Sequence, residues 1–522
     1  METLTSSKTI IVSNRLPVKV RMEAGKPVYS ASEGGLATGV SSVFNNPDSR
    51  WIGWSGIATS DPVLHQEIEK ELKPGRMVPV MLSEAEMEAY YQGFSNETLW
   101  PLFHYFASLA EFDHSNWETY VGVNRKFAEA IVAEAGARDI IWIHDYHLML
   151  VPAMVREMLP DAAIGFFQHI PFPAYEMFRI VPWRNELIQG LLGANMLGFH
   201  TQDDVAHFME TVTEVCALGN PEVSVMSNEI LFGNRTILVD AFPMGIDYDK
   251  FASMAVSEAI HDEMSELELH KGNRKLMISI DRLDYSKGII HRLKAFETFL
   301  EMYPDMAGSV VFIQLIVPSR DSIKQYDRLK QEVNRLVSNI NTRYGTFGWN
   351  PICYFYRSLS PEALSALYAA AEVALVTPLR DGMNLVSKEY IASKIERPGV
   401  LVLSEMAGAA RELKQALIVN PNNQFEMAQA IHDALVMPVK EQWKRLKSMQ
   451  RHLRKNNVHA WANGFMETLM NVCELQTSYD QYIYNEEIEE HILHRFMSRR
   501  DVGNLLQSLG LRSGSAGFLL QT

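Results

Sequence analysis

The chain of 522 residues is 47% hydrophobic and 21% charged, with a formal net charge of -15. A length beyond one hydrophobic core implies two large domains. The acidic balance excludes a nucleic-acid backbone as partner, because such binding rests on clustered Lys and Arg, but a few local cations suffice for small phosphorylated ligands.

The first apolar run, 9–12, ends in Ser13-Asn14-Arg15-Leu16-Pro17, which sets Arg15 at a strand end where a phosphate can be held. That run is too short for a signal peptide, and no window of about 18 apolar residues lacks a charge, so a soluble protein without membrane contact is expected. Glu33-Gly34-Gly35-Leu36 reads as a glycine-rich loop opening a helix, where backbone can approach a ligand closely. Trp51, Trp54, Tyr90, Tyr91 and Trp100 supply aromatic surface suited to sugar faces, though aromatics at this density serve a core as readily.

Runs 140–143 and 164–167 lead into His144-Asp145-Tyr146-His147 and Gln168-His169-Ile170-Pro171-Phe172-Pro173. His144 and His147 lack a third ligand at helical spacing, so a rigid loop is preferred to a metal site. Asp145 is the candidate for a hydroxyl contact, and His169 is held stiffly at a cleft wall by the prolines that follow. Run 237–239 precedes Phe242-Pro243-Met244-Gly245-Ile246-Asp247, the expected domain seam. Asp247-Tyr248-Asp249 spells a metal-type carboxylate pair there but follows no strand, and is read as coincidence. The isolated cysteines Cys216, Cys353 and Cys473 fit a reducing cytoplasm with no disulfide or zinc framework.

In the second half, run 276–280 feeds Asp281-Arg282-Leu283-Asp284-Tyr285-Ser286-Lys287-Gly288. Arg282 offers a forked donor and Lys287 a compact charge, able to reach one diphosphate from two sides; a plain surface pair is the alternative. Run 310–316 ends before Val317-Pro318-Ser319-Arg320, aiming Arg320 into the cleft, and Ser360-Pro361-Glu362 signals a helix start. Run 373–377 opens Thr377-Pro378-Leu379-Arg380-Asp381-Gly382-Met383-Asn384, with Leu385-Val386-Ser387-Lys388-Glu389-Tyr390 as the helix that follows. Asn384 at the N-cap would leave backbone N–H groups for an anion, with Asp381 and Glu389 for sugar hydroxyls; an ordinary crossover with solvated charges is the alternative. Runs 400–403 and 416–419 complete the strands, the basic stretch 440–455 reads as a solvated helix face, and the tail carries no chemical motif. Apolar strands alternating with helices imply an α/β chain whose parallel sheets are covered on both faces, two doubly wound domains facing across a cleft.

Taken in order from about Ile10 to Met470, the strings SNRLP, EGGL, GWSG, WIHDYHL, HIPFP, RLDYSKG and TPLRDGMNLVSKEY resemble the retaining glycosyltransferases that make trehalose 6-phosphate. The resemblance implies a GT-B fold of two Rossmann-like domains. Residues 1–246 would bind the acceptor and 247–478 the nucleotide sugar, the last helix packing back on the first domain and 479–522 forming a tail. It implies glucosyl transfer from a nucleotide-glucose, usually UDP-glucose, to glucose 6-phosphate, with no metal and no cofactor. Arg282 and Lys287 would hold the donor diphosphate, Gly34 and Gly35 would approach the donor, and Leu385, Val386, Ser387, Lys388 and Glu389 would line its nucleotide and ribose. Asp381 would contact the transferred glucose and His169 would line its pocket. Arg15, Tyr91 and Arg320 would grip the acceptor phosphate, Asp145 would orient an acceptor hydroxyl, and Trp100 would shape that pocket. Residues near Leu359 would touch the base.

Many relatives continue into a phosphatase domain marked by a DxDxT-like string, absent here, so a separate phosphatase is expected to act on the product. A related enzyme using glycerol 3-phosphate and a catalytically silent subunit remain as alternatives. The donor base and a homo-oligomeric state stay open.

Overall fold

The computed structural model describes residues 8–23, 25–31, 40, 48–136, 139–217, 223–319 and 324–497. Met1–Leu469 form one compact unit and Met470–Thr522 a second. Both sheets lie in the first.

The first sheet has nine strands among the described residues: β1 (Thr9–Arg15), β4 (Arg50–Trp54), β5 (Met77–Pro79), β6 (Ile140–His144), β7 (Ala163–Phe167), β8 (Met196–Phe199), β9 (Val223–Met226), β10 (Glu229–Phe232) and β11 (Arg235–Ala241). Their order is β5-β4-β1-β6-β7-β8-β11-β10-β9, while β2 (Val18–Glu23) and β3 (Lys26–Ala31) form a separate hairpin. The seven strands from β5 to β11 run parallel, and β10 and β9 extend the edge antiparallel. Ile10, Ile11 and Val12 are wholly buried. Such β-branched runs fit a pleated surface covered on both faces.

The second sheet is parallel throughout, in the order β14-β13-β12-β15-β16-β17. Its strands are β12 (Lys275–Arg282), β13 (Val310–Val317), β14 (Ile352–Tyr356), β15 (Val373–Val376), β16 (Val400–Ser404) and β17 (Leu417–Val419). Strand order reverses between β1 and β6 in one sheet and between β12 and β15 in the other, and the carboxyl ends beside such a reversal are where these folds take ligands.

Helix α1 (Ile289–Met302) covers the second sheet; α2 (Pro361–Ala370) starts as expected, the Ala363 N–H donating to the Ser360 hydroxyl across 3.1 Å. Helix α3 (Leu385–Ser393) follows β15. Helix α4 (Val439–Lys455) buries only Leu446, Met449 and Leu453, leaving its basic face to water. Where α5 (Val458–Met497) begins, Phe465 stacks on Trp142 at 4.7 Å and fills space over Gly165 and Gly198, whose absent side chains admit the ring. Asp247 is a helix cap, its carboxylate accepting the Lys250 N–H across 3.1 Å, so the Asp247-Tyr248-Asp249 string serves local structure. No described helix is long and apolar enough to cross a membrane.

Candidate active site

Arg15 closes β1 and is exposed. Its guanidinium lies 4.7 Å from the Trp54 ring and 5.0 Å from the Tyr91 ring, with no carboxylate partner among the described residues. Held by ring faces rather than an acid, it keeps its forked donors for an anion. The aromatic expectation divides here: Trp51 and Trp54 are buried strand residues, each only 2% exposed, whereas Tyr91 stays half-buried beside Arg15.

Asp145 follows β6 at φ +76, a conformation that non-glycine residues seldom adopt and that marks a constrained turn. Its Oδ1 accepts the His169 backbone N–H across 3.1 Å. The His169 ring nitrogen Nε2 lies 3.0 Å from Nδ1 of His144, and His200 packs edge-on at 5.6 Å. His147 instead stacks against Tyr91, so the His144/His147 pair does not converge. Burial pushes His144 and His169 well below the ordinary imidazole range and His200 down to about 3, leaving three neutral rings at the ends of β6, β7 and β8.

Across the cleft, Arg282 closes β12 and is exposed, its guanidinium 5.7 Å from the Trp100 ring. The chain then turns through Gly288 at φ +66, and Lys287 donates to the Asp381 carboxylate across 2.6 Å. Asn384, at φ +77, caps α3: its Oδ1 accepts from the Ser387 N–H at 3.1 Å and its amide donates to Asp381 at 3.0 Å. Leu385 and Val386 open the helix, and N–H groups of a first turn have no acceptor within the helix. Burial works to raise the Asp381 carboxyl, but the Lys287 ammonium and the Asn384 amide outweigh it and hold it below the usual range.

A run of rings joins the two sides. From Arg15 it passes through Tyr91 to His147 at 5.8 Å, Tyr146 at 3.9 Å and Trp100 at 5.8 Å, which faces Arg282. Arg15, Tyr91, Trp100 and Arg282 thus line one cleft from its two sides, and Lys287, Asp381 and the start of α3 adjoin Arg282.

Other expected residues are placed differently. Lys388 is fully enclosed, its ammonium donating to the Met244 carbonyl at 2.7 Å and to Glu412. Ser387 is also sealed, its hydroxyl donating to the Asn384 carbonyl at 2.8 Å. Glu389 accepts the Tyr368 hydroxyl at 2.8 Å, and burial raises its carboxyl. Gly34, Gly35 and Arg320 lie outside the described residues. A cavity of about 460 Å³ opens beside the helix His261–Lys271, and of the expected binding residues only Leu359 lines it.

The sequence reading missed several neighbours. The Arg380 guanidinium lies 4.4 Å from the Tyr105 ring, and Phe106 meets Tyr285 edge-on at 4.9 Å. The buried His104, which burial lowers to about 4, is near enough to Asp381 for their charges to interact. Tyr105 and Phe106 come from a stretch with no strand signal before it, which hid them.

Residues 7–471 match the sequence profile of glycosyltransferase family 20. A bifunctional trehalose-6-phosphate synthase/phosphatase of Thermoproteus tenax is 41% identical over 92% of this chain, and the UDP-forming α,α-trehalose-phosphate synthase of Schizosaccharomyces pombe is 40% identical over 90% of it. This chain spans 66% of the first protein's length and 91% of the second's. The UDP-forming synthase of Burkholderia xenovorans in complex with glucose-6-phosphate superposes with a TM-score of 0.78 at 35% identity, over 89% of this chain and 100% of that one. The E. coli trehalose-6-phosphate structure bound with UDP-2-fluoro glucose gives 0.80 at 34%, over 89% and 99%.

Proposed function

The chain belongs to glycosyltransferase family 20, and on that premise we propose that it transfers glucose from UDP-glucose to glucose 6-phosphate, giving UDP and α,α-trehalose 6-phosphate. The observation that carries this reading is the ring run that links Arg15 to Arg282, because it sets along one cleft two guanidinium groups with no carboxylate partner among the described residues, one for each phosphorylated substrate. Residues 1–246 serve the acceptor, with Arg15 and Tyr91 at its phosphate, Trp100 shaping its pocket and Asp145 toward the attacking hydroxyl, while Arg320 of the second domain also serves the phosphate. Residues 247–478 serve the donor. Arg282, Lys287 and the N–H groups of Leu385 and Val386 receive the diphosphate, Glu389 serves the ribose, Asp381 and His169 serve the glucose, and Gly34 and Gly35 are assigned to the donor.

Transfer retains configuration by front-face displacement. The acceptor hydroxyl oxygen bonds to the anomeric carbon on the face from which the phosphate oxygen departs, and that oxygen takes the hydroxyl proton. Charge grows on the diphosphate as the bond breaks, and fixed donors aimed there lower the barrier more than they stabilise the ground state. The reaction takes place in the cytoplasm.

Incubation with UDP-, ADP- or GDP-glucose and either glucose 6-phosphate or glycerol 3-phosphate, read by mass spectrometry, tests the reading. Disaccharide phosphate from UDP-glucose and glucose 6-phosphate is expected. A glycerol-linked product would transfer the assignment to the other acceptor, and no product from any pairing would mark a silent subunit.

A further inference from the structure

Arg292 is the largest charged side chain sealed inside the second lobe, 1% exposed on α1. Its guanidinium spends its donors on four groups from three segments. Nε donates to the Thr377 hydroxyl at 3.0 Å, one amino group to the Asp281 carboxylate at 2.6 Å and to Ser279, and the other to the Lys287 carbonyl at 2.9 Å. Asp281 immediately precedes Arg282. Thr377 begins the loop that carries Asp381 and Asn384.

Those two loops are already in close contact. The Leu379 N–H donates to the Ser286 carbonyl at 2.7 Å, and a side chain at Gly288 would overlap the Thr377 carbonyl. Backbone contact alone fixes their separation but not the angle at which Lys287 leaves its turn. A planar fork bonded to both ends of the 281–287 segment and to the start of the facing loop fixes that angle. A buried ion pair is a weak source of stability, because apolar residues of equal volume commonly stabilise a core as well or better. Stability therefore does not account for an arginine here.

We propose that Arg292 is a positioning residue for the donor diphosphate site, holding Arg282, Lys287 and the approach to α3 in one fixed arrangement from beneath. It touches no substrate. The inference rests on the reading that Arg282 and Lys287 receive the diphosphate, and it deepens that reading by naming the support.

The test is titration calorimetry with UDP on the full chain, with steady-state kinetics in both substrates. Binding of UDP to the unaltered chain, weakened in Lys287→Ala, is the control for the underlying reading; no such effect would sink that reading rather than this one. Arg292→Lys keeps a charge for Asp281 but loses the fork. It is expected to weaken UDP binding about tenfold and to raise the KM for the nucleotide sugar, while the KM for glucose 6-phosphate stays within about twofold. Where that variant fails to fold, Asp281→Asn combined with Arg292→Gln removes both buried charges together and carries the same expectation. A folded variant that binds UDP as tightly as the unaltered chain overturns the proposal. So does an equal rise in both KM values, since that reports general loosening.

Discussion

Lys287 and Asp381 form a largely buried pair, their side chains 12% and 13% exposed, so the ammonium is partly dehydrated before any ligand arrives. On the proposed reading, an incoming diphosphate shares or replaces Asp381 as its partner, and the charge that grows on the leaving group is greater than that of the bound donor. Lys287→Ala is therefore expected to lower kcat by about 10²–10³-fold, the cost of removing one such donor, as initial rates at saturating substrates would reveal. The buried imidazoles supply a second expectation. His104 and His200 have folded values of about 4 and about 3 against an ordinary 6.5, so between those limits the unfolded chain binds the protons and folding loses stability as pH falls. Each contributes about 1.4 kcal/mol per pH unit in that window, fully regained above 6.5. Melting temperatures should drop steeply from pH 6.5 to 4.5, and less steeply in His200→Gln; a flat profile would contradict the assignment. At this scale the sequence exposed residues that end strands, such as Arg15, Asp145 and Arg282. It could not show that Lys388, in the same motif as Asp381, turns inward, because which face of α3 is buried depends on Met244 and Glu412 from distant segments.

At the scale of elements, all nine apolar runs emerge as strands, because a strand buried on both faces is nearly continuous in hydrophobic residues. Two of the unread strands lack that mark for an identifiable reason. β4 and β8 contain Gly53 and Gly198, which make room for a neighbouring backbone and for the Phe465 ring. A packing glycine reads as a turn signal in sequence, so these strands were hidden by the same residues that let them pack. Phe465 makes the dependence measurable. It is fully buried and meets Trp142, Phe167 and Phe242. Phe465→Ala is expected to cost about 3–5 kcal/mol, seen as a lower urea midpoint, because the surrounding rings cannot collapse into the space. A shift of under about 1 kcal/mol would mean that α5 contributes little to the first sheet.

For the molecule as a whole, the sequence located a cleft at the strand ends but not how close the walls come. Gly382 shows that distance: a Cβ there would sit 2.7 Å from the His169 carbonyl oxygen and 3.2 Å from the His200 ring, both on the opposite sheet. Its backbone is not in the left-handed region, so alanine adds bulk without local strain. The methyl group would push the lobes apart by several tenths of an ångström, between two cores rather than within one. Gly193 makes the contrast, since a Cβ there would overlap the backbone of Pro152 and Ala153 inside the first lobe. Gly193→Ala should lower the melting temperature. Gly382→Ala should leave it nearly unchanged yet reduce kcat about tenfold or more, because misplacing reacting groups by an ångström can cost about 10²-fold. Calorimetric melting and initial rates on the two variants separate the cases. Loss of melting temperature in Gly382→Ala without loss of rate would show that the walls meet for stability, and that transfer does not need them this near.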